Sequence, residues 1–151
     1  MEVLFRGQTR RLGEKIRMNG EKVPSNWAYG GICKGPGAFS IIYGDLNVEK
    51  ENPIEKFVVY TDTVGMFTGK ILNGEKLFQD DIVEWYEDVD DSWGYTKEVH
   101  GYSLVVWDEE NFCWSFMSDD GKKTPFNDWT WENCQIAGNI HDHPDLFEVK
   151  A

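Results

Sequence analysis

The residues best suited to chemistry lie near the C-terminus, in the run His141-Asp142-His143. Two imidazoles one residue apart at the end of a strand can share a metal ion, and Asp142 or Cys134 would supply a further ligand. A metal site is therefore one interpretation of this run. We favour a structural one, because His143 precedes Pro144 in what the sequence predicts to be the first turn of a helix.

Other catalytic patterns are not found in the sequence. It contains no GxSxG nucleophile motif, no P-loop and no GxGxxG. Adjacent carboxylates occur at Asp80-Asp81, but successive residues of a strand face opposite sides, so they do not form an acid–base pair. We expect Asp81 to accept a hydrogen bond from its own turn. The sequence therefore predicts neither an enzyme nor a cofactor.

The aromatic content is the most unusual feature of the composition. Aromatic residues make up 15% of the chain, and seven of them are Trp. Such residues either fill a core or form an exposed binding surface, since Trp and Tyr have one apolar and one polar end. Small β domains often offer an aromatic groove between loops to a peptide. The candidate interaction surface consists of Trp93, Tyr95, Trp129 and Trp131.

Charge divides the chain into two regions, 1–62 and 63–151, which we also predict to be its two domains. Residues 1–62 have a net charge of +1, whereas residues 63–151 hold six Lys/Arg against nineteen Asp/Glu, a net charge of −13. Nucleic acid is therefore not an expected partner of the second region, because its phosphates would be repelled. The N-terminal basic residues predict a solvated strand face or an arm that docks on the acidic region: Arg6, Arg10, Arg11, Lys15, Arg17 and Lys22.

Short strands separated by Gly-containing turns predict a mainly β protein. Tight turns are expected at Asn19-Gly20, Asn73-Gly74 and Asp120-Gly121, because Asn, Asp and Gly tolerate positive φ. Gly30-Gly31 is expected to interrupt a strand, and the acidic run 87–97 is expected to form a loop.

Location and redox state follow from what the sequence lacks. No apolar run reaches transmembrane length and no signal peptide is evident, so a cytoplasmic protein without membrane contact is expected. The three widely spaced cysteines, Cys33, Cys113 and Cys134, predict neither a disulfide framework nor a zinc site.

Four sequence blocks carry a resemblance to a known family. They are Phe5-Arg6-Gly7, Trp27-Ala28-Tyr29-Gly30, residues 64–83 (Val-Gly-Met-Phe-Thr-Gly, then Asn-Gly, then Asp-Ile-Val) and residues 136–146 (Ile-Ala-Gly-Asn-Ile, then Pro-Asp-Leu). In order and spacing they resemble the YopX family, small proteins encoded by phages and prophages of Gram-positive bacteria. This chain departs from the family pattern at Asp80, where a Gly is usual, and at His141 and His143, where Tyr and Asn are usual.

The resemblance implies a fold but no activity. It implies an SH3-like small barrel in residues 63–151, preceded by an N-terminal β region in residues 1–62, and we expect one short helical turn at the C-terminus. The leading hypothesis is a non-enzymatic phage or prophage accessory protein that binds a host or phage protein, or associates with itself as a homo-oligomer. The alternative is a nucleic-acid-associated protein, or an acidic DNA mimic that acts on a host DNA-binding protein.

Overall fold

The computed structural model describes residues 4–13, 25–33, 35, 37–46 and 55–149, with only the backbone of Glu55. Within these ranges the chain forms antiparallel strands and two short 3-10 turns, Thr61–Thr63 and Phe126–Asp128. The protein is therefore mainly β. The strands are β1 (Phe5–Arg10), β2 (Asn26–Cys33), β3 (Phe39–Leu46), β4 (Glu55–Tyr60), β5 (Gly65–Leu72), β6 (Glu75–Phe78), β7 (Asp81–Asp90), β8 (Thr96–Asp108), β9 (Cys113–Met117), β10 (Lys123–Pro125) and β11 (Cys134–Asn139).

Some predictions lie outside the described residues. These are the turn at Asn19-Gly20 and the basic residues Lys15, Arg17 and Lys22. In the described part of the chain, no helix is long and apolar enough to cross a membrane.

The chain divides into two compact units, residues 1–69 and 70–151. In the first unit the sheet order is β4-β3-β2-β1-β5. Its core is the buried trio Ala28, Ile42 and Val59. The division falls inside β5, whereas the predicted boundary at residue 62 precedes this strand.

Gly30 does not interrupt its strand, so this prediction is wrong. Gly30 pairs with Gly44 of the neighbouring strand β3. A Cβ atom on Gly30 would lie 2.0 Å from the carbonyl oxygen of Tyr43, and one on Gly44 would lie 2.1 Å from that of Tyr29. Both glycines are therefore required by the close approach of two backbones rather than by a turn.

Two of the N-terminal arginines have partners within the first unit. The Arg6 guanidinium lies 4.6 Å from the centre of the Trp27 ring, and Arg11 lies 4.1 Å from that of Tyr60. Arg11 also forms a bidentate ion pair with Asp62, at 2.9 and 3.0 Å. Both arginines therefore form cation–π contacts within the first unit, and Arg11 also forms an ion pair there.

The second unit is organised around a five-stranded antiparallel sheet of order β10-β9-β8-β7-β11. The predicted turn at Asn73-Gly74 is confirmed, with φ angles of 52° and 83°, and it joins β5 to β6. The predicted turn bond of Asp81 is also confirmed, because this buried carboxylate accepts a hydrogen bond of 2.7 Å from the Phe78 amide. The core of the unit comprises Leu72, Leu77, Val83, Val105, Phe116 and Cys134.

The sheet of the second unit is not a closed barrel, in contrast to the prediction. Among the described strands, β10 and β11 are the outer strands, and each pairs with one neighbour. The segment that connects them carries Phe126, Trp129 and Trp131, which pack against the core of the unit. Closure would have required a row of hydrogen bonds between the two outer strands, which the described strands do not form.

Two local predictions in this unit are also wrong. Residues 87–97 are not a loop, because β7 and β8 remain paired from Tyr86 and His100 to Asp90 and Thr96. The predicted C-terminal helical turn is not formed, because residues 140–142 and 144–146 of the described chain are isolated hydrogen-bonded turns rather than helix. Asn139 stabilises the turn at the end of β11, because its side-chain oxygen accepts hydrogen bonds from the amides of residues 141 and 142.

Candidate interaction surface

The second unit carries a two-stranded ribbon, formed by residues 84–90 of β7 and residues 96–102 of β8. Its tip folds tightly because the Asp91 carboxylate accepts hydrogen bonds of 2.9 Å from the amides of Trp93 and Tyr95. Gly94 supplies the positive φ, 81°, that this turn requires. The side chains of Trp93 and Tyr95 are 84% and 72% exposed.

One face of the ribbon carries a polar aromatic stack. Tyr86 stacks on its cross-strand partner His100, with ring centres 5.0 Å apart, and Tyr102 meets His100 edge-on. His100 Nε2 lies 3.3 Å from the Glu84 carboxylate. The Tyr86 hydroxyl donates to the same carboxylate, and this hydrogen bond raises the pKa of Tyr86.

The opposite face of the ribbon carries Trp85. Its indole lies against Gly101, the residue directly opposite on β8, where a Cβ atom would be only 2.3 Å from the Trp85 ring. The indole nitrogen donates to Ser103 Oγ at 3.2 Å. Gly101 and Ser103 together therefore fix the plane of this ring.

An aromatic cluster beside the ribbon contains two of the four predicted surface residues. Trp129 and Trp131 both pack against the buried Phe116, with ring centres 4.1 and 5.4 Å away. The Trp131 indole donates to the Phe126 carbonyl at 3.2 Å, and Lys70 lies 4.4 Å from its ring centre. Both tryptophans thus contribute to the core while remaining partly exposed.

The outer edge of β7 is paired with another strand only as far as Trp85. Up to this residue β7 pairs with β11, in which Cys134 is the partner of Trp85. The Tyr86 amide then donates to the Asn133 carbonyl at 3.0 Å. Beyond that bond, no strand of the described residues pairs with this side of β7. Residues Glu87–Asp90 therefore present an open strand edge.

Two cavities lie beside this open edge. One, of about 450 Å³, is bordered by Tyr86, Asp88 and Glu98, whose side chains share the face of the aromatic stack. The other, of about 400 Å³, shares Tyr86 and Asp88 with the first and extends to Trp129 and to Trp85, which lies on the opposite face. We call the open edge of Glu87–Asp90 together with these two cavities the edge groove.

The charge of the edge groove has one sign. Neither cavity is bordered by Lys or Arg. Within the ribbon, Asp88 and Glu98 are direct cross-strand partners, an arrangement of like charges that costs stability. The carboxylates that border the two cavities are Glu87, Asp88, Glu98, Asp128 and Glu132.

The two histidines near the C-terminus form hydrogen bonds with different residues of the chain. His141 Nε2 lies 3.0 Å from the Asp80 carboxylate, while His143 Nδ1 accepts a hydrogen bond of 3.3 Å from the Asn139 amide. Asp80 adopts φ 72°, a left-handed conformation that Gly adopts more readily. Among the residues that the structure describes, no three His, Cys, Asp or Glu side chains are placed to hold a metal ion.

The four predicted surface residues occupy two places. Trp129 and Trp131 lie together in the aromatic cluster, and only Trp129 borders the edge groove. Trp93 and Tyr95 lie at the ribbon tip, beyond the last paired residues of β7 and β8.

The edge groove also contains residues that the sequence interpretation missed. These are Trp85, Tyr86, Glu87 and Asp88, of which the last two were predicted to lie in an acidic loop. The signal that we missed is that the strand-like run continues through residues 84–90 and is followed by a second β-type run in residues 96–102, with which it can pair.

Comparison with known proteins identifies the family. The family model for YopX protein matches residues 40–148, more than half of the chain. No curated protein and no solved structure gives a match to the chain. The match confirms the resemblance to the family and covers two of the four sequence blocks, residues 64–83 and 136–146, and we conclude that the chain belongs to the YopX family.

Proposed function

We propose that this protein is a non-enzymatic interaction module that binds another protein through its edge groove. The observation that supports the proposal is the open edge of residues 87–90 with two adjoining cavities beside it. An unpaired edge of this kind is a template for a further strand, and a soluble protein usually protects it. Here the partly exposed rings of Trp85 and Trp129 border the edge.

The fold and the biological setting belong to the same proposal. We infer that the second unit is a variant of the SH3-like architecture, because β7, β8, β9 and β10 form a meander and β11 returns after a 3-10 turn to pair with β7. In this proposal the protein serves a phage or prophage in the cytoplasm of its bacterial host. A DNA mimic that occupies a nucleic-acid-binding protein is a special case, since such a partner is basic.

A photo-crosslinking experiment in expressing cells tests the proposal. Val89 lies exposed on the ribbon beside the open edge, and Phe112, in the turn between β8 and β9, is a control that is even more exposed. A photoreactive phenylalanine analogue is placed at one or the other position. We expect a discrete protein adduct from position 89 and none from position 112. Equal adducts from both positions, or none from either, would contradict a specific surface at the edge groove.

A further inference from the structure

We propose that the edge groove binds an extended protein segment with Arg or Lys at adjacent positions, which pairs with β7 as an added strand. The inference rests on the proposed function and specifies the partner. Strand addition derives its affinity from main-chain hydrogen bonds and its specificity from pockets that receive alternate side chains. The edge groove has both features, and its charge selects cations.

The backbone groups on the open edge can be assigned from two hydrogen bonds. The Asp91 amide donates to Tyr95 of the same hairpin, whereas the Tyr86 amide donates outward to Asn133. Because amides of an antiparallel strand alternate in direction, Glu87 and Val89 direct their backbone groups toward β8. Asp88 and Asp90 therefore direct theirs outward, toward an added strand.

The two cavities match the geometry of such a strand. Successive side chains of a strand point to opposite faces, and every second one lies about 6.6 Å further along the same face. Both cavities are bordered by Tyr86 and Asp88 at the edge, and they extend in different directions. Glu98 borders only the first, on the face of the aromatic stack, and Trp85 borders only the second, on the opposite face. Adjacent side chains of the added strand would thus enter different cavities.

Charge complementarity identifies the side chains that enter. An Arg on the face of Tyr86 would lie near Asp88 and Glu98, and would relieve the repulsion between these cross-strand partners. An Arg on the other face would meet Glu87, Asp128 and Glu132, with aromatic rings available for stacking. Lys97 is the one Lys or Arg in the ribbon, so the excess of carboxylates remains large.

The same charges disfavour other occupants. Pairing two copies of this chain through their open edges would place Asp88 and Asp90 of one copy against the same carboxylates of the other, which is repulsive. DNA and RNA carry the same sign of charge as the edge groove and would also be repelled. A basic protein segment satisfies the backbone and the charge together.

Fluorescence anisotropy with three labelled nonapeptides tests the proposal on the full-length protein. The Arg probe repeats Thr-Arg-Arg, which places Arg on both faces of the added strand, the Glu probe has Glu in place of each Arg, and the third probe is the Arg probe with every backbone amide N-methylated. We expect only the Arg probe to bind, with an affinity that falls as salt is added. Equal binding of the Glu probe or of the N-methylated probe would overturn the proposal.

Protein variants separate the contributions of charge and backbone. Asp88→Asn removes one carboxylate and should weaken binding about two- to fivefold. Asp88→Pro also removes an outward amide, which an edge position tolerates, and should weaken binding about tenfold. Glu109→Gln, in the exposed turn before β9, removes the same charge elsewhere and should change nothing. If Asp88→Pro does not fold by circular dichroism, the N-methylated probe still tests strand pairing.

The remaining outcomes separate this inference from the proposed function. A protein adduct from position 89 without binding of the Arg probe would overturn the basic segment and leave the interaction surface intact. An adduct between two copies of the chain, or binding of labelled DNA in the same assay, would replace the proposed partner. The absence of both the adduct and probe binding would remove both proposals.

Discussion

Replacing Gly101 with Ala tests whether the Trp85 ring is placed as described. The new Cβ would lie 2.3 Å from Cζ2 and 2.8 Å from Cε2 of the Trp85 indole, so the ring has to move by about 1 Å to restore normal contact. Such overpacking typically costs about 1–3 kcal/mol. The shift also weakens the indole hydrogen bond to Ser103, worth about 0.5–1.5 kcal/mol.

A smaller favourable effect opposes this cost. Removing a glycine from a strand gains about 0.5–1 kcal/mol, because the unfolded chain loses freedom. The expected net loss for Gly101→Ala is therefore about 1–3 kcal/mol in the free energy of unfolding. Gly31 is the matched control, since it lies in strand β2 with no atom within 4 Å of its added Cβ. Gly31→Ala should stabilise by about 0.5–1 kcal/mol.

Urea unfolding followed by circular dichroism measures both variants against the unchanged protein. In a Trp85→Leu background, where the ring is gone, Gly101→Ala should lose most of its cost. Gly101→Ala should also weaken binding of the Arg probe, because Trp85 borders the edge groove. A neutral or stabilising Gly101→Ala would refute the packing of the indole against β8, and so would an equal cost with and without Trp85.

Three further predictions concern other contacts of the second unit. A double-mutant cycle of Asp80→Gly and His141→Ala in urea unfolding should give a coupling of about 0.5–1.5 kcal/mol, because their side chains share a hydrogen bond; zero coupling would contradict that contact. Hydrogen bonds from Asn111 lower the pKa of Asp108 in the folded state. The stabilisation that the Asp108 carboxylate provides is therefore present above its unfolded pKa and lost as pH falls through its folded pKa. The amount by which Asp108→Asn lowers the urea midpoint should accordingly shrink on acidification. A difference in midpoint that stays constant with pH would refute this. Burial raises the pKa of the Cys134 thiol, so iodoacetamide should alkylate exposed Cys33 well before Cys134, as peptide mass spectrometry would show.

Local turn chemistry was predictable from the sequence. Asn73-Gly74 and Asp120-Gly121 were identified because their residue types tolerate positive φ, and Gly74 and Gly121 have φ angles of 83° and 85°. The hydrogen bond of Asp81 spans only three residues and is equally local. Features of this kind depend on neighbours in the chain, which the sequence displays directly.

Features that depend on distant residues were not predictable in the same way. Gly30 continues a strand because Gly44, fourteen residues later in the chain, lies opposite it. The acidic residues of the ribbon have weak β-propensity, but pairing with residues 96–100 overrides it. Whether the four predicted aromatic residues form one groove likewise depends on the path of the chain, which places Trp93 at the ribbon tip and Trp131 against the core cluster.

Amide hydrogen exchange on the ribbon tests the central claim, that the edge of β7 is open and accepts a strand. In the free protein we predict fast exchange at Asp88 and Asp90 and protection at Glu87 and Val89, whose amides are directed toward β8. Addition of the Arg probe should protect Asp88 and Asp90 selectively. Equal protection of all four amides in the free protein, or no change at Asp88 and Asp90 once the probe is bound, would contradict the account.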